Sequence, residues 1–403
     1  MVKENTMKQT EIGLLPEDWE VLELSKIGTF KNGINKGAED FGFGSPFVNL
    51  MDVFGKNVIN SNISFGLINS NNAEKEMYNV RSGDVIFIRS SVKPSGVGKT
   101  VLIQNDLKDT VYSGFLIRYR NNSLYDNFKR YCFDAEYFRN NVIAGSTVSA
   151  NTNINQDTLK SLKLAFPKSL PEQELIAEAL SDADAWIESL EQLIAKKRHI
   201  KQGAMQELLS PKEHWEVKKL GEVGEIITGG TPSTIIAEFW NGDIPWITPT
   251  DINISKDIYS GERSITAFGV GQIRKLRKNS LLVTCIASIG KNAILRVDGA
   301  CNQQINAITP NALFNVEYLY YLLELNKKIL IGKAGTTATL ILSKAEFSLI
   351  EFKFPVLTEQ TNVATILSDM DAELEVLEAQ LAKARQVKQG MMQELLTGRT
   401  RLI

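Results

Sequence analysis

Apolar residues recur at alternating steps of four and three along two stretches of the chain. Ile176, Leu180, Ala183, Ile187, Leu190 and Ile194 make the first series, and Val363, Leu367, Met370, Leu374, Leu377, Leu381 and Ala384 the second. This spacing is the a/d seam of a coiled coil. Neither stretch has a proline within it, and Pro171 and Pro355 lie at the two starts, where proline is tolerated. A helix of the predicted length would be a rod of about 57 Å. Gly203 and Gly390 fall at the same place in the two stretches. A helical glycine costs about 1 kcal/mol against alanine, so its repetition predicts close backbone approach or a bend. Elsewhere the pattern is shorter. Residues 80–90 (VRSGDVIFIRS) and 276–288 (LRKNSLLVTCIAS) predict apolar strands after a turn, and residues 126–140 and 316–329 predict short helices.

The chain also repeats itself. Residues 172–209 align without a gap on 359–396, with 22 of 38 positions identical and KQG-x-MQELL in both. Chance similarity between amphipathic helices would match residue class, not such a string. Trp19-Glu20-Val21 returns as Trp215-Glu216-Val217, Pro46 and Asp52 as Pro245 and Asp251, Gly98-Lys99 as Gly290-Lys291, and Gly145-Ser146-Thr147 as Gly335-Thr336-Thr337. The period is nearly half the chain, so it implies two pseudo-equivalent modules, not a solenoid. Each is a variable part followed by a near-constant helix.

The predicted organisation is an N-terminal tail (1–11), a first globular domain (12–170), a first long helix (171–210), a second globular domain (211–355), a second long helix (356–398) and a C-terminal tail (399–403). In both helices acids fill the front, and lysine and arginine cluster behind (Lys196, Lys197, Arg198 and Lys201; Lys383, Arg385 and Lys388). Laid parallel, like charges would face each other; laid antiparallel, each acidic half meets a basic half. The expected fold class is therefore α+β, with two pseudo-equivalent globular domains separated by a long antiparallel two-helix coiled coil in a pseudo-two-fold repeat.

Composition narrows the chemistry. The 403 residues carry 45 Lys+Arg against 47 Asp+Glu, a net charge of −2, which excludes gripping a polyanion by bulk charge. By segment, 12–170 holds 18 basic and 16 acidic residues and 211–355 holds 16 and 14, whereas the helices are acidic. Each globular part can thus present a modest basic face. The two histidines, His199 and His214, read as solvated side chains, so a multi-histidine metal centre is excluded. Cys132, Cys285 and Cys301 form no CxxC pair, and no apolar run approaches a bilayer span; the expected location is the cytoplasm.

SGVGKT (95–100) lacks the first glycine of a nucleotide-binding P-loop, because Lys93 stands there, and the second copy, ASIGKN, lacks it too. The better reading is a tight turn that brings backbone N–H groups and Lys99 or Lys291 to a DNA phosphate. There is no Pro-Pro and no Pro-Asp, which removes the common starts of amino-methyltransferase and restriction-nuclease motifs. The chain reads as a binder, not a catalyst. Candidate DNA contacts on polar loops are Lys31, Asn32 and Lys36; Arg89, Ser91 and Lys93; Thr147 and Asn151; Thr231 and Ser233; Arg274 and Lys275 in a basic cluster; and Thr336 and Thr337. Trp19, Trp215, Trp240 and Trp246 read as core.

A Trp-Glu-x-x-x-Leu opening on each variable part, Phe-Pro followed after a short spacer by Glu-Gln, and the duplicated Lys-Gln-Gly-x-Met-Gln-Glu-Leu-Leu together resemble the specificity subunit of type I restriction–modification enzymes. The resemblance covers essentially the whole chain. It implies two target recognition domains, each reading half of a split double-stranded DNA sequence. It also implies helices that set the spacing and dock two modification (methyltransferase) subunits, with Lys201, Gln202, Gly203 and Met205 and their repeats Lys388, Gln389, Gly390 and Met392 as docking positions. A motor–nuclease restriction subunit completes the complex. S-adenosylmethionine, ATP and magnesium are expected on those partners, with no metal and no cofactor on this non-catalytic chain. The competing reading is a coiled-coil assembly scaffold with protein-binding ends.

Overall fold

The computed structural model describes residues 6–253, 255–335 and 340–402. The chain forms two compact units, residues 1–190 with 380–403, and residues 191–379. Each therefore takes one globular part and portions of both long helices.

The first unit is built on a mixed five-stranded sheet. Its strands are β1 (Thr29–Asn32), β2 (Val58–Ile59), β3 (Val85–Ile88), β4 (Thr100–Ile103) and β5 (Leu116–Arg120), in the order β1-β5-β3-β4-β2. The β4–β2 pair is parallel and the others are antiparallel. The second unit repeats this with β6 (Gly224–Thr228), β7 (Asp257–Ile258), β8 (Ser280–Thr284), β9 (Asn292–Leu295) and β10 (Ile305–Pro310), in the order β6-β10-β8-β9-β7. Again the last pair, β9–β7, is parallel. A three-stranded sheet accompanies each, centred on Phe41–Val48 in the first unit and Trp240–Ile247 in the second. Both central strands break register at the same place, between Phe41 and Ser45 and between Trp240 and Ile244.

β3 is apolar at consecutive positions because its sheet is covered on both faces. Val85 and Phe87 enter a core with Tyr119, Phe133 and Phe138, while Ile86 and Ile88 enter another with Val48, Val101 and Leu116. In β8, Leu281 and Val283 share a core with Tyr318 and Phe347, and Leu282 faces Ile247 and Ile258. All four tryptophans expected in the core are buried.

The long helices are α1 (Leu170–Leu208) and α2 (Leu357–Leu395). In the first unit the beginning of α1 packs on the end of α2, with Ile176, Ala177 and Leu180 in one core with Leu395 and Leu396. Lys388 pairs with Asp184 there. In the second unit the end of α1 meets the beginning of α2, with Leu208 and Leu209 against Val363, Ala364 and Leu367. Lys197–Glu373 and Arg198–Glu378, each at 2.6 Å, and Lys201–Asp371 cross between the helices. Within each unit the pairing is antiparallel and joins the basic stretch of one helix to the acidic stretch of the other.

Three expectations change. The helix over 126–140 is two, Asp126–Cys132 and Glu136–Ala144, because the chain turns to place the Phe133 ring against Phe87, Tyr119 and Phe138, 5.1–5.9 Å between centroids. The helix over 316–329 is likewise divided into Val316–Leu325 and Lys327–Gly332 at Asn326, whose side-chain amide donates to the Leu322 carbonyl at 2.8 Å. Gly203 and Gly390 show no close approach within the chain; a Cβ at either would meet open space. His199 and His214 are exposed, and His214 lies 3.4 Å from Glu359. The three cysteines are buried and free. Among the described residues no helix is long and apolar enough to cross a membrane.

Candidate nucleic-acid interface

In each five-stranded sheet one edge collects the loops that the sequence singles out. In the first unit β1 and β3 end there while β4 and β5 begin there, and in the second β6, β8, β9 and β10 do the same. Backbone hydrogen bonds fix the equivalence residue by residue. Ile88 N–H donates to the Lys99 carbonyl at 2.8 Å, and Thr284 N–H to the Lys291 carbonyl at 2.9 Å. Arg89 N–H donates to the Phe115 carbonyl and Cys285 N–H to that of Gln304. Ile154 N–H donates to the Arg89 carbonyl and Leu342 N–H to that of Cys285. Lys99 thus corresponds to Lys291, and Phe115 to Gln304.

The repeated Gly-Lys turn has a backbone reason. Gly98 and Gly290 adopt φ of 62° and 84°, the left-handed region that glycine enters freely. A Cβ on Gly98 would also lie 2.5 Å from Val142 Cγ1. The lysine that follows differs from expectation in the first unit. The Lys99 ammonium is bound to the Asp134 carboxylate at 2.6 Å, so it reaches a phosphate only by leaving that partner.

The other candidates divide in the same way. Ser91 and Asn151 lie on the Ser90–Ser91, Thr147–Val148 and Thr152–Asn153 strand cluster or its turn, and together with Lys93 they line one groove of about 450 Å³. Thr147 is exposed on the same cluster, and Lys93 on the adjoining loop. Arg89 points back, its guanidinium donating to the Gly114 carbonyl at 3.3 Å. At the end of β1, Lys31 sits over the Tyr78 ring, 5.6 Å from its centroid, and Asn32 lies beside Gln156. Lys36 is paired with Glu74 at 2.7 Å, which raises the ammonium above its ordinary value and lowers the carboxyl.

In the second unit the Thr231 hydroxyl donates to Gln303 at 2.7 Å, and the Ser233 carbonyl accepts from the Trp240 indole at 3.0 Å. Arg274 is exposed beside Ile273, whose side chain packs near Gly230. Lys275 is paired with Asp298 at 2.9 Å. Thr336 and Thr337 lie outside the described residues. On the helices, Lys201 and Lys388 are engaged by Asp371 and Asp184, whereas Gln202, Gly203 and Gln389 are exposed and Met205 and Met392 are partly buried against their units' cores.

Sequence reasoning missed the apolar and amide members of the edge. Met51, Phe54, Val92 and Phe115 in the first unit, and Gln303 and Gln304 in the second, stand beside the expected polar residues. The available signal was a large side chain in a turn of small residues, Ser113-Gly114-Phe115, between two apolar strands. Among the described residues no group of three or more His, Cys, Asp and Glu could hold a metal ion.

The family model for the type I restriction modification DNA specificity domain matches twice, over residues 16–197 and 212–385. The MjaIX specificity subunit of Methanocaldococcus jannaschii is 38% identical over 171 residues, which are 41% of this chain and 39% of that one. The EcoR124I/EcoR124II specificity subunit of Escherichia coli is 33% identical over 175 residues, 41% of this chain and 43% of the relative. These two alignments thus span less than half of each relative. A putative type I specificity subunit of M. jannaschii, MjaX, is 24% identical over 99% of this chain and 98% of its own. The fold is shared with a type I restriction–modification S subunit from M. genitalium, at a TM-score of 0.56 and 16% identity over 94% of this chain and 96% of that one. It is also shared with a chain from a structural study of type I complex assembly and conformational transition, at 0.65 and 14% over 96% and 99%. With two matched segments that together take in most of its length, the chain belongs to the type I restriction–modification DNA specificity family.

Proposed function

We propose that this chain is the non-catalytic specificity subunit of a type I restriction–modification complex, each globular part reading one half of a split DNA target. The observation that carries this reading is the duplicated sheet edge. The same strands and the same backbone hydrogen bonds recur, yet the side chains at equivalent places differ, as Phe115 against Gln304 and Lys93 in a longer loop against the short 285–289 loop. A retained frame with exchanged reading groups is what two different half-sites require, because bases are distinguished by side-chain donors, acceptors and apolar contacts.

The helices then set half-site separation and dock two modification subunits through the exposed Gln202, Gly203 and Gln389 and the half-buried Gly390. S-adenosylmethionine belongs to those subunits, and ATP and magnesium to a motor–nuclease subunit. A DNA-reading role fits the cytoplasmic location expected from the sequence. DNase footprinting of the chain assembled with its modification subunits is the test. Two short protected elements flanking a base-insensitive gap are expected; one continuous site would refute the reading. Replacing residues 12–167 with those of a relative should alter one element only, whereas a protein scaffold would change its partner and leave DNA untouched.

A further inference from the structure

The first reading edge carries a cluster of exposed apolar side chains. In the first unit Met51 is 76% exposed, Phe54 56%, Val92 83% and Phe115 59%, and all four line the same open groove. Large apolar side chains left in water together, and not scattered singly, mark a contact surface. Their mounting is firm. Met51 belongs to the short helix Leu50–Val53, capped by a reciprocal Asn49–Asp52 box, and the Phe115 carbonyl is tied to Arg89. In the second unit the places of Met51 and Phe115 carry Thr250, within a Thr248–Asp251 turn whose hydrogen bonds match those of Asn49–Asp52, and Gln304.

We propose that this apolar lip reads thymine methyl groups in the half-site of the first globular part. The inference rests on the DNA-reading function proposed above. The occupant follows from the groove's mixed lining. On the major-groove edges of a duplex the thymine C5-methyl is the apolar feature, and its adenine partner offers N7 and N6 to an asparagine amide. The groove sets the exposed Asn151 beside the apolar lip, and the exposed Lys93 brings a cation to its rim, complementary to a phosphate chain. An apolar protein partner would leave that lysine and the Ser90, Ser91 and Asn151 side chains without a counterpart.

The test uses the full chain assembled with its modification subunits and a duplex carrying its target, identified from methylated adenines in host DNA. Replacing thymine by deoxyuridine removes the methyl alone. Binding should weaken about fourfold per methyl read in the half-site of the first part. Phe115→Gln, which installs the amide found at residue 304, should abolish that penalty while its thermal unfolding stays that of the parent. Met51→Thr should act in the same direction. The proposal is overturned if the half-site of the first part shows no uracil penalty, or holds no T·A pair, while sequence-specific binding persists. It is overturned too if Phe115→Gln weakens assembly with the modification subunits and leaves the penalty unchanged. Absence of any sequence-specific binding would instead take down the parent reading as well.

Discussion

Gln173 donates its side-chain amide to the carbonyl of Pro167 at 2.8 Å, across the turn that leads into α1, and both residues are buried. Its carbonyl oxygen accepts from Tyr125 N–H at 2.8 Å, just before the helix Asp126–Cys132. Gln360 does the same in the second unit, donating to Pro355 at 2.8 Å and accepting from Asn315 N–H at 2.9 Å. One amide thus ties a strand end, the start of a long helix and the start of a short one, which explains why Glu-Gln follows Phe-Pro in both copies.

Gln173→Ala should therefore leave the buried Pro167 carbonyl and the half-buried Tyr125 N–H without these partners. The expected loss is about 2 kcal/mol, the cost of stranding buried polar groups, read by urea denaturation. Gln173→Glu, which keeps the acceptor but loses the donor toward Pro167, should also destabilise at neutral pH. A loss near zero in both would mean the bonds are replaced by water.

How much of this was legible beforehand depends on the kind of signal. The helix seams were legible because Leu180, Leu367 and their neighbours repeat with a fixed period. The antiparallel sense followed from charge, and pairs such as Lys197–Glu373 realise it. The Gly98-Lys99 turn was legible as a repeat. What was not legible is which lysine is free. Asp134, the partner of Lys99, lies 35 residues away, in a segment read as continuous helix. Nor did the pattern show the lip, because Met51, Phe54 and Phe115 come from separate segments and share a face only once the sheet has formed.

Asp18 and Arg401 give a pH prediction. The Arg401 guanidinium hydrogen-bonds Asp18 at 2.9 Å and holds its carboxyl below the ordinary 3.8. A lowered folded-state value contributes stability above the unfolded value, and that contribution disappears as pH falls through the lowered one. The destabilisation caused by Asp18→Asn should therefore be present at pH 7 and fade below about pH 3.8. Equal destabilisation across that range, in thermal melts of both proteins, would contradict the assignment.

Gly203 and Gly390 sit in long helices with open space where a Cβ would be. Alanine at either position should stabilise the chain by about 1 kcal/mol, the helix-propensity difference. If these positions are glycine so that a modification subunit can come close, the same substitutions should weaken assembly. Measuring unfolding of the chain alone beside co-purification with modification subunits separates the two effects. Stabilisation with unimpaired assembly would remove both glycines from the docking face.

Lys93 and Lys99 should behave differently on DNA although they lie only six positions apart. Lys93 is exposed at the rim of the groove, so a phosphate contact costs it no existing partner. Lys99 must first give up Asp134, an ion pair at 2.6 Å, which offsets part of what a phosphate would return. Each lysine that displaces a counterion adds about one to the slope of log affinity against log salt. Lys93→Gln should thus weaken binding almost equally for target and non-target duplexes and flatten that slope by about one. Lys99→Gln should change slope and affinity less, while Asp134→Asn, by freeing the ammonium, should strengthen binding at low salt. Equal effects of the two glutamine variants across a salt series would show that the Asp134 pair opens on the DNA surface and that Lys99 is a full phosphate contact.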